Sequence, residues 1–265
     1  MLDRSQDASI TYDAADGVAT LTINHAARRN AMTHRMWREI PPLVARALAD
    51  PAVRVIAVTG AGDAAFCAGA DISQFGEQED TAAIDAYHQS VEDGMEALQR
   101  AAKPTVALIR GICFGGGCAL ALTCDVRLAR ADARFRVPAG RLGLGYSYRS
   151  VESMVAKIGM AATADILLSA GILDAEGALR YGLAQRVWPQ AAFEAEAAAY
   201  LGQIKDNAPL TLAAVKRALV ELAEPESRRD KAAVDALVAA CFASQDYQEG
   251  QTAFMEKRKP RFRGE

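Results

Sequence analysis

The sequence predicts an α/β core followed by a helical C-terminal segment, and three observations lead to this prediction. The β-branched run at residues 53–58 is typical of a strand that is covered on both faces. A helical stretch at 81–101 separates it from another strand-like run at 105–109, and this order indicates a right-handed crossover. Toward the C-terminus the sequence becomes almost entirely helical. We therefore place the α/β core at residues 1–200 and the helical segment at 201–265.

The first fifty residues contain a hairpin signal and a helix signal. Alternating apolar residues at 19–23 follow an Asp-Gly turn at 16–17, and this pattern predicts the second arm of a hairpin whose first arm lies at 10–12. A helix is expected over 33–50, capped by the threonine at its start. The two prolines at 41–42 should kink or interrupt that helix, because proline removes a backbone donor.

The remaining elements follow from glycine and alanine patterns. A glycine triplet at 115–117 opens an alanine- and leucine-rich helix, after which residues 126–129 are expected to form a strand. Helices rich in alanine, with few large apolar residues, rarely build a core of their own. We therefore expect the C-terminal helices to dock on another surface, such as a neighbouring subunit. These helices are predicted at 191–206, 209–223, 227–244 and 246–257.

Composition narrows the classes of function. The 30 Lys and Arg residues nearly balance 33 Asp and Glu, which argues against a dedicated nucleic-acid-binding protein. The first ten residues have no apolar run, and the uncharged stretch at 111–124 is too short to cross a bilayer, so we expect no membrane partner. The five cysteines contain no C-x-x-C pair, and this pattern favours a cytoplasmic location.

Two glycine-containing loops, at residues 60–72 and 111–118, are the strongest candidates for chemistry, because each follows a buried strand and leads toward a helix. Glycine lets backbone N–H groups approach a ligand, and two such groups can stabilise negative charge on one carbonyl oxygen. Two alternatives remain open. Both loops could be tight turns, or Gly60 and Gly62 could belong to a dinucleotide site, although the third glycine of that motif is absent.

Several further motifs occur in a fixed order along the chain, namely Arg29-Asn30-Ala31-Met32, 53–58, 68–72, Lys103-Pro104, 111–118, Cys124-Asp125 and 254–258. Taken together and in order, these features resemble the crotonase superfamily, also called the enoyl-CoA hydratase/isomerase family. The resemblance spans nearly the whole chain, and its combination of motifs is specific although no single motif is. It implies a spiral ββα core, a helical C-terminal trimerisation region and a homotrimer or hexamer. It also implies an acyl-CoA substrate, with no metal or separate cofactor.

The resemblance also implies site residues. The thioester oxygen would lie between the backbone N–H groups of Ala70 and Gly116. Lys257, in a basic C-terminal block, would contact CoA phosphates, with a solvated tail as the alternative. A departure is Ala26, where the family often has proline. Four further positions match the CoA-binding segments of the family, namely Arg28, Ala68, Asp71 and Ile72.

A second departure concerns proton transfer. Hydratases of the family use two glutamates, one just beyond the glycine triplet and one in an F-x-x-P-E pattern. This chain has Ala119 and Ala139 at the matching positions. General acid/base assistance is worth about 100- to 10,000-fold per group, so hydration by that pair is not expected.

Several side chains are candidates to replace the glutamates. Tyr146 falls where some family decarboxylases acting on malonyl-type CoA esters have a pocket tyrosine, and Tyr148 is a weaker candidate. Those enzymes can have a histidine where this chain has Ala70, which weakens the match. Arg141 could bind a substrate carboxylate through its planar guanidinium. His88 could act with a glutamate one turn further along a helix covering the acyl pocket. Packing or solvent-exposed roles remain the alternatives for all of these residues.

The sequence therefore supports three hypotheses. The first is an acyl-CoA enzyme of the family that stabilises a thioester enolate, with a decarboxylase using Tyr146 as its variant. The second is an acyl-CoA-binding protein without turnover, which the two alanines suggest. The third, a dinucleotide-dependent oxidoreductase, rests only on the weak glycine pattern.

Overall fold

The computed structural model describes residues 8–71 and 81–265, which form two sheets surrounded by helices. The strands, in chain order, are β1 (Ser9–Ala15), β2 (Val18–Asn24), β3 (Val55–Gly60), β4 (Ala65–Cys67), β5 (Thr105–Ile109), β6 (Ile112–Phe114), β7 (Val126–Arg130), β8 (Arg134–Arg136), β9 (Leu173–Asp174) and β10 (Arg186–Trp188). The helices are α1 (His34–Ala49), α2 (Thr81–Gln99), α3 (Gly116–Thr123), α4 (Ala139–Leu142), α5 (Tyr148–Ser169), α6 (Ala175–Arg180), α7 (Phe193–Lys205), α8 (Pro209–Ala223), α9 (Lys231–Ala243) and α10 (Gln245–Met255).

The chain winds through the two sheets as a spiral. The larger sheet has the order β1-β2-β3-β5-β7-β10, and the smaller has the order β4-β6-β8-β9. Strand β1 pairs antiparallel with β2, whereas the pairs from β2 to β10 are parallel. Each turn places one strand in the larger sheet and the next in the smaller one: β3 and β4, then β5 and β6, then β7 and β8. This repeat confirms the predicted α/β fold with a spiral ββα core.

The N-terminal hairpin and the start of α1 agree with the sequence-based prediction. Asp16 and Gly17 both have positive φ, 49° and 80°, as a two-residue hairpin turn requires. The Thr33 side chain accepts a hydrogen bond from the amide of Met36 at 3.2 Å and so caps α1.

The expected interruption of α1 at its prolines was wrong, because the helix continues through Pro41 and Pro42. A proline inside a helix costs about 3 kcal/mol. The apolar face of α1 offsets this cost, since Trp37 and Ile40 are almost completely buried and each contributes about 1.5–3 kcal/mol. A long helix is broken instead in α5, where Gly159 has a φ of 79°.

The larger sheet is covered on both faces, so every residue of β3 is buried. Helices α1 and α2 pack together on one side of the core, which includes Trp37 and Phe66. Helix α7 packs on the other side, where Phe193 and Leu201 join the second apolar cluster. Residue 200, the predicted end of the α/β core, lies inside α7.

The C-terminal helices form where the sequence predicted them, except that the stretch at 227–244 consists of a short 3-10 turn followed by α9. Helix α8 is attached to the core by the buried Lys216, whose ammonium lies 2.7 and 2.8 Å from the two carboxylate oxygens of Asp125. Within the described residues, no helix is long and apolar enough to span a bilayer. A groove of about 730 Å³ lies among α8, α9 and α10. These helices expose large apolar side chains, some of which line the groove: Val215, Leu219, Leu222, Val238, Phe242, Phe254 and Met255.

Candidate active site

The two glycine-containing loops meet beside the smaller sheet, where β4 and β6 pair in parallel. Gly69 has a φ of 106°, and a Cβ atom placed on it would lie 3.2 Å from the carbonyl oxygen of Phe114 and 3.5 Å from the amide nitrogen of Gly116. A Cβ atom on Gly116 would lie 3.7 Å from the amide nitrogen of Ala70. The close approach of the two backbones therefore depends on glycine at position 69.

The peptide group that contains the Ala70 amide has a defined orientation. The carbonyl oxygen of Gly69 accepts a hydrogen bond from the amide of Met32 at 2.8 Å. The C=O and N–H bonds of a trans peptide point in opposite directions, and no cis peptide occurs among the described residues. The Ala70 N–H therefore points away from Met32. A parallel β-bridge joins Met32 to Ala70. Its hydrogen bonds come from the amides of Met32 and Asp71, so the amide of Ala70 takes no part in it.

The Gly116 amide lies at the start of α3. It belongs to the first residue of the helix, and the amides of the first turn have no partner within a helix. The carbonyl of the preceding Gly115 accepts a hydrogen bond from the amide of Ala119 at 3.2 Å, so the N–H of Gly116 points the opposite way. The positive end of the helix dipole adds to the electrostatic attraction for negative charge at this point.

Buried thiols lie beneath the loops and support them. The Cys67 sulfur accepts a hydrogen bond from the amide of Gly69 at 3.4 Å, and burial raises the pKa of the Cys67 thiol to about 12. Cys118 is buried, and its thiol donates to the carbonyl oxygen of Cys113 at 2.7 Å. A Cβ atom on Gly117 would overlap the carbonyl oxygen of Cys67, so glycine is required there as well. These contacts give the thiols a packing role.

Tyr146 lies close to the loops and packs partly against the core. Burial raises the pKa of its phenol to about 12, with a smaller contribution from the neighbouring Cys118. Within residues 8–71 and 81–265, no hydrogen-bond partner of its hydroxyl occurs. At neutral pH the phenol is therefore a proton donor and not a base. Ala119 and Ala139 are half-buried, whereas Tyr148 is 82% exposed at the start of α5.

The other candidates for acyl contacts lie nearer the surface. Arg141 is exposed on the short helix α4. His88 is exposed on α2, and its ring contacts the Tyr87 ring with centroids 5.9 Å apart. Glu92, one turn further along α2, lies 3.8 Å from the guanidinium of Arg149. The structure thus places Glu92 within ion-pair distance of α5.

Three of the residues expected to contact CoA near the first loop lie in the described part of the chain. Arg28 is exposed at the end of a 3-10 turn, and the amide of Ala68 donates to the carbonyl oxygen of Arg29 at 3.0 Å. Asp71 is buried. Ile72 lies outside the described residues.

The C-terminal basic block is only partly available to a ligand. Arg258 donates to both carboxylate oxygens of Glu249, at 2.6 and 2.8 Å, and also bonds Glu256. The bonds from Arg258 to Glu249, together with one from the amide of Arg261, lower the pKa of Glu249 to about 2. Lys257 is exposed and has no ion-pair partner among the residues that the structure describes.

Asn30, a buried polar residue of this region, was not predicted as part of the site. Asn30 has a left-handed φ of 58°, and its side chain accepts from the amide of His25 at 3.1 Å. The same side chain donates to the carbonyl oxygens of Ala61 and Ala65, at 3.0 and 2.7 Å. An asparagine just before a helix was the available signal, since asparagine adopts left-handed backbone more readily than most residues. Its distant partners could not be read from the sequence.

Comparisons with known proteins assign this fold and its paired loops to the crotonase superfamily. A sequence model described as enoyl-CoA hydratase/isomerase matches residues 13–265. Crotonyl-CoA hydratase of Syntrophomonas wolfei is 32% identical over 96% of this chain and 97% of its own length. (E)-benzylidenesuccinyl-CoA hydratase of Thauera aromatica is 30% identical, with coverages of 96% and 99%. An enoyl-CoA hydratase/isomerase family protein from Hyphomonas neptunium superposes with a TM-score of 0.88 at 34% identity, with coverages of 96% and 97%.

This chain belongs to the enoyl-CoA hydratase/isomerase family. It is thus an acyl-CoA enzyme by family, and the two curated relatives named above are hydratases. Among the described residues, no group of three His, Cys, Asp or Glu side chains is arranged to hold a metal ion.

Proposed function

We propose that this protein stabilises the enolate of an acyl-CoA thioester with the backbone amides of Ala70 and Gly116. The observation that supports the proposal is the orientation of the Gly69–Ala70 peptide, whose carbonyl is held by Met32 while the loop lies against Gly116. Two amide donors directed at one oxygen stabilise the negative charge that develops there. Loss of one such donor typically costs about 100- to 1,000-fold in kcat.

The remaining substrate contacts are those that the resemblance to the family implies. CoA enters as part of the substrate, so the proposal includes no resident cofactor and no metal. Arg28 and Lys257 would contact phosphates, and Ala68, Asp71 and Ile72 would line the CoA site. His88 and Arg141 would lie at the acyl end.

The two alanines make a reaction without a carboxylate base the better fit. Decarboxylation of a malonyl-type CoA ester is the second candidate, and the half-buried position of Tyr146 beside Cys118, with its phenol protonated at neutral pH, is compatible with it. In that step the bond from the α-carbon to the carboxylate breaks, carbon dioxide leaves, and the electron pair forms the enolate. Tyr146 then protonates the α-carbon and regains its proton from water. Arg141 would hold the departing carboxylate before the bond breaks.

The test offers the purified protein crotonyl-CoA, a β,γ-enoyl-CoA and methylmalonyl-CoA. Release of carbon dioxide with formation of propionyl-CoA supports the decarboxylase, whereas hydration of crotonyl-CoA at a rate comparable to a hydratase contradicts it. Binding of all three without turnover contradicts catalysis and supports an acyl-CoA-binding protein.

A matched pair of tyrosine variants tests the proton donor. Tyr146→Phe should lower kcat by about 100-fold or more and spare the dissociation constant for the substrate, because only the hydroxyl is lost. Tyr148→Phe, in the exposed tyrosine two residues on, should leave both unchanged. Equal rates for the two variants would exclude Tyr146 as the donor.

We also propose that the chain assembles as a homotrimer or a hexamer through its C-terminal segment. The support is the apolar surface of α8, α9 and α10, since large contiguous apolar patches are rare on monomers. Light scattering on the purified protein should give three or six times the mass of the chain. A monomer over the micromolar range would contradict the proposal.

A further inference from the structure

The imidazole of His25 is the first donor in a row of hydrogen bonds that leads to the amide of Ala70. His25 follows β2 and is only 6% exposed. Its Nδ1 lies 2.9 Å from the carbonyl oxygen of Ala31. A carbonyl oxygen can only accept, so Nδ1 carries the hydrogen and donates it. In the neutral ring, Nε2 is then the nitrogen without a hydrogen.

Two peptide groups continue this row. The carbonyl of Ala31 shares its peptide group with the amide of Met32, which donates to the carbonyl oxygen of Gly69 at 2.8 Å. The carbonyl of Gly69 shares its peptide group with the amide of Ala70. The imidazole and the two peptides therefore lie head to tail, in a region where Ala31 and Met32 are buried. Hydrogen bonds in such a row polarise one another by roughly 10–30% per bond.

The backbone around His25 holds the ring at the start of the row. The His25 amide donates to the side chain of Asn30 at 3.1 Å, and the His25 carbonyl accepts from the Asn30 amide at 2.9 Å. Asn30 is in turn anchored to β4 through the carbonyl of Ala65 at 2.7 Å. Through Asn30, the backbone of His25 is thus attached to β4, the strand that leads into the loop of Ala70.

We infer that His25 is a positioning residue that aligns the Ala70 amide and strengthens it as a donor to the thioester oxygen. This inference rests on the proposed function of Ala70, and it adds a residue that acts on the oxygen only through two peptide groups. The net free energy of one hydrogen bond of ordinary strength corresponds to a change of roughly 3- to 10-fold in rate. Loss of the imidazole donor should therefore lower kcat by roughly that factor without weakening CoA binding.

The experiment measures polarisation of a bound thioester in the full-length protein. Hexadienoyl-CoA is the probe, because its absorption moves to longer wavelength when the carbonyl of a conjugated thioester is polarised. His25→Leu removes the donor and should reduce this shift at an unchanged dissociation constant. His25→Asn keeps an N–H donor where Nδ1 lies, so it should restore the shift.

A control variant removes a comparable bond elsewhere. Lys103 donates to the carbonyl oxygens of Ala47 and Asp50, at 2.8 and 2.6 Å, at the opposite end of α1. Lys103→Met should therefore keep the full absorption shift even where it lowers stability. A loss of shift in this control equal to that of His25→Leu would overturn the specific role of His25.

The outcomes separate this inference from the proposed function. A full shift in His25→Leu overturns the role of His25 and leaves the proposed amide pair intact. No shift in the wild-type protein overturns the proposed function and the inference with it. If the leucine variant does not fold, ¹⁵N NMR of the wild-type protein decides, since the chain has only 3 histidines. A hydrogen on Nδ1 supports the inference, and a neutral ring with its hydrogen on Nε2 overturns it.

Discussion

Replacement of Gly116 by proline removes the second proposed donor while it preserves the start of α3. Gly116 is the first residue of that helix, so its amide is not needed for a bond within the helix. Proline is favoured at this position, and its effect on the unfolded chain is stabilising by about 0.4–1 kcal/mol when the backbone fits. We therefore expect the free energy of unfolding of Gly116→Pro to stay within about 1 kcal/mol of the wild-type value.

The expected effect on catalysis is much larger. Loss of one donor to the developing oxyanion costs about 2.7–4 kcal/mol, which corresponds to about 100- to 1,000-fold in kcat. The matched control is Gly116→Ala, which keeps the N–H. Its Cβ atom would lie 3.7 Å from both the Ala70 nitrogen and the Gly69 Cα atom, an ordinary contact distance.

The assay compares kcat, the dissociation constant for CoA ester and urea unfolding for the two variants. The proline variant should lose turnover while it keeps binding of the CoA portion, because the change is confined to the contact with the thioester oxygen, where the proline Cδ atom replaces the amide hydrogen. A folded proline variant whose kcat lies within about threefold of the alanine variant would refute the role of the Gly116 amide.

Two further predictions concern stability and are tested by urea unfolding. Lys216→Met leaves the Asp125 carboxylate without its buried partner and should lower the free energy of unfolding by about 3–5 kcal/mol; a loss below about 1 kcal/mol would contradict this. Gly111→Ala should lower the free energy of unfolding by about 1–3 kcal/mol more than Gly62→Ala does. Both glycines have positive φ, but only a Cβ atom at 111 would overlap a backbone oxygen, that of Ala64. Equal losses in the two glycine variants would show that overlap is not the cause.

Elements with a long, regular pattern could be predicted from the sequence. Strand β5 was expected at the residues where it occurs, and α8 likewise. Strands β4, β6 and β8 were missed because each has only three residues, too few for an alternating hydrophobic pattern to appear. Strands β4 and β8 both pair with β6, so their stability comes from partners that lie 46–47 and 22 residues away along the chain.

The candidate site was predictable only in part. Glycine at 69 and at 115–117 indicated where two backbones could approach a ligand. The absence of carboxylates at Ala119 and Ala139 was likewise a property of the sequence. The suggested pairing of His88 with Glu92 stays a prediction, and their spacing on one helix did not reveal that Glu92 would also lie 3.8 Å from Arg149 of α5.

The spiral ββα arrangement was expected only from the resemblance to a family. The sequence by itself determined its longer strands and helices, the glycine loops and the lack of acidic side chains at two positions. These depend on local backbone preference and on residue type. Only the tertiary structure decided which peptide groups face each other, which nitrogen of His25 carries its hydrogen, and why α1 continues through its prolines. Such features depend on hydrogen bonds and burial between segments far apart in the chain, which a local pattern does not encode.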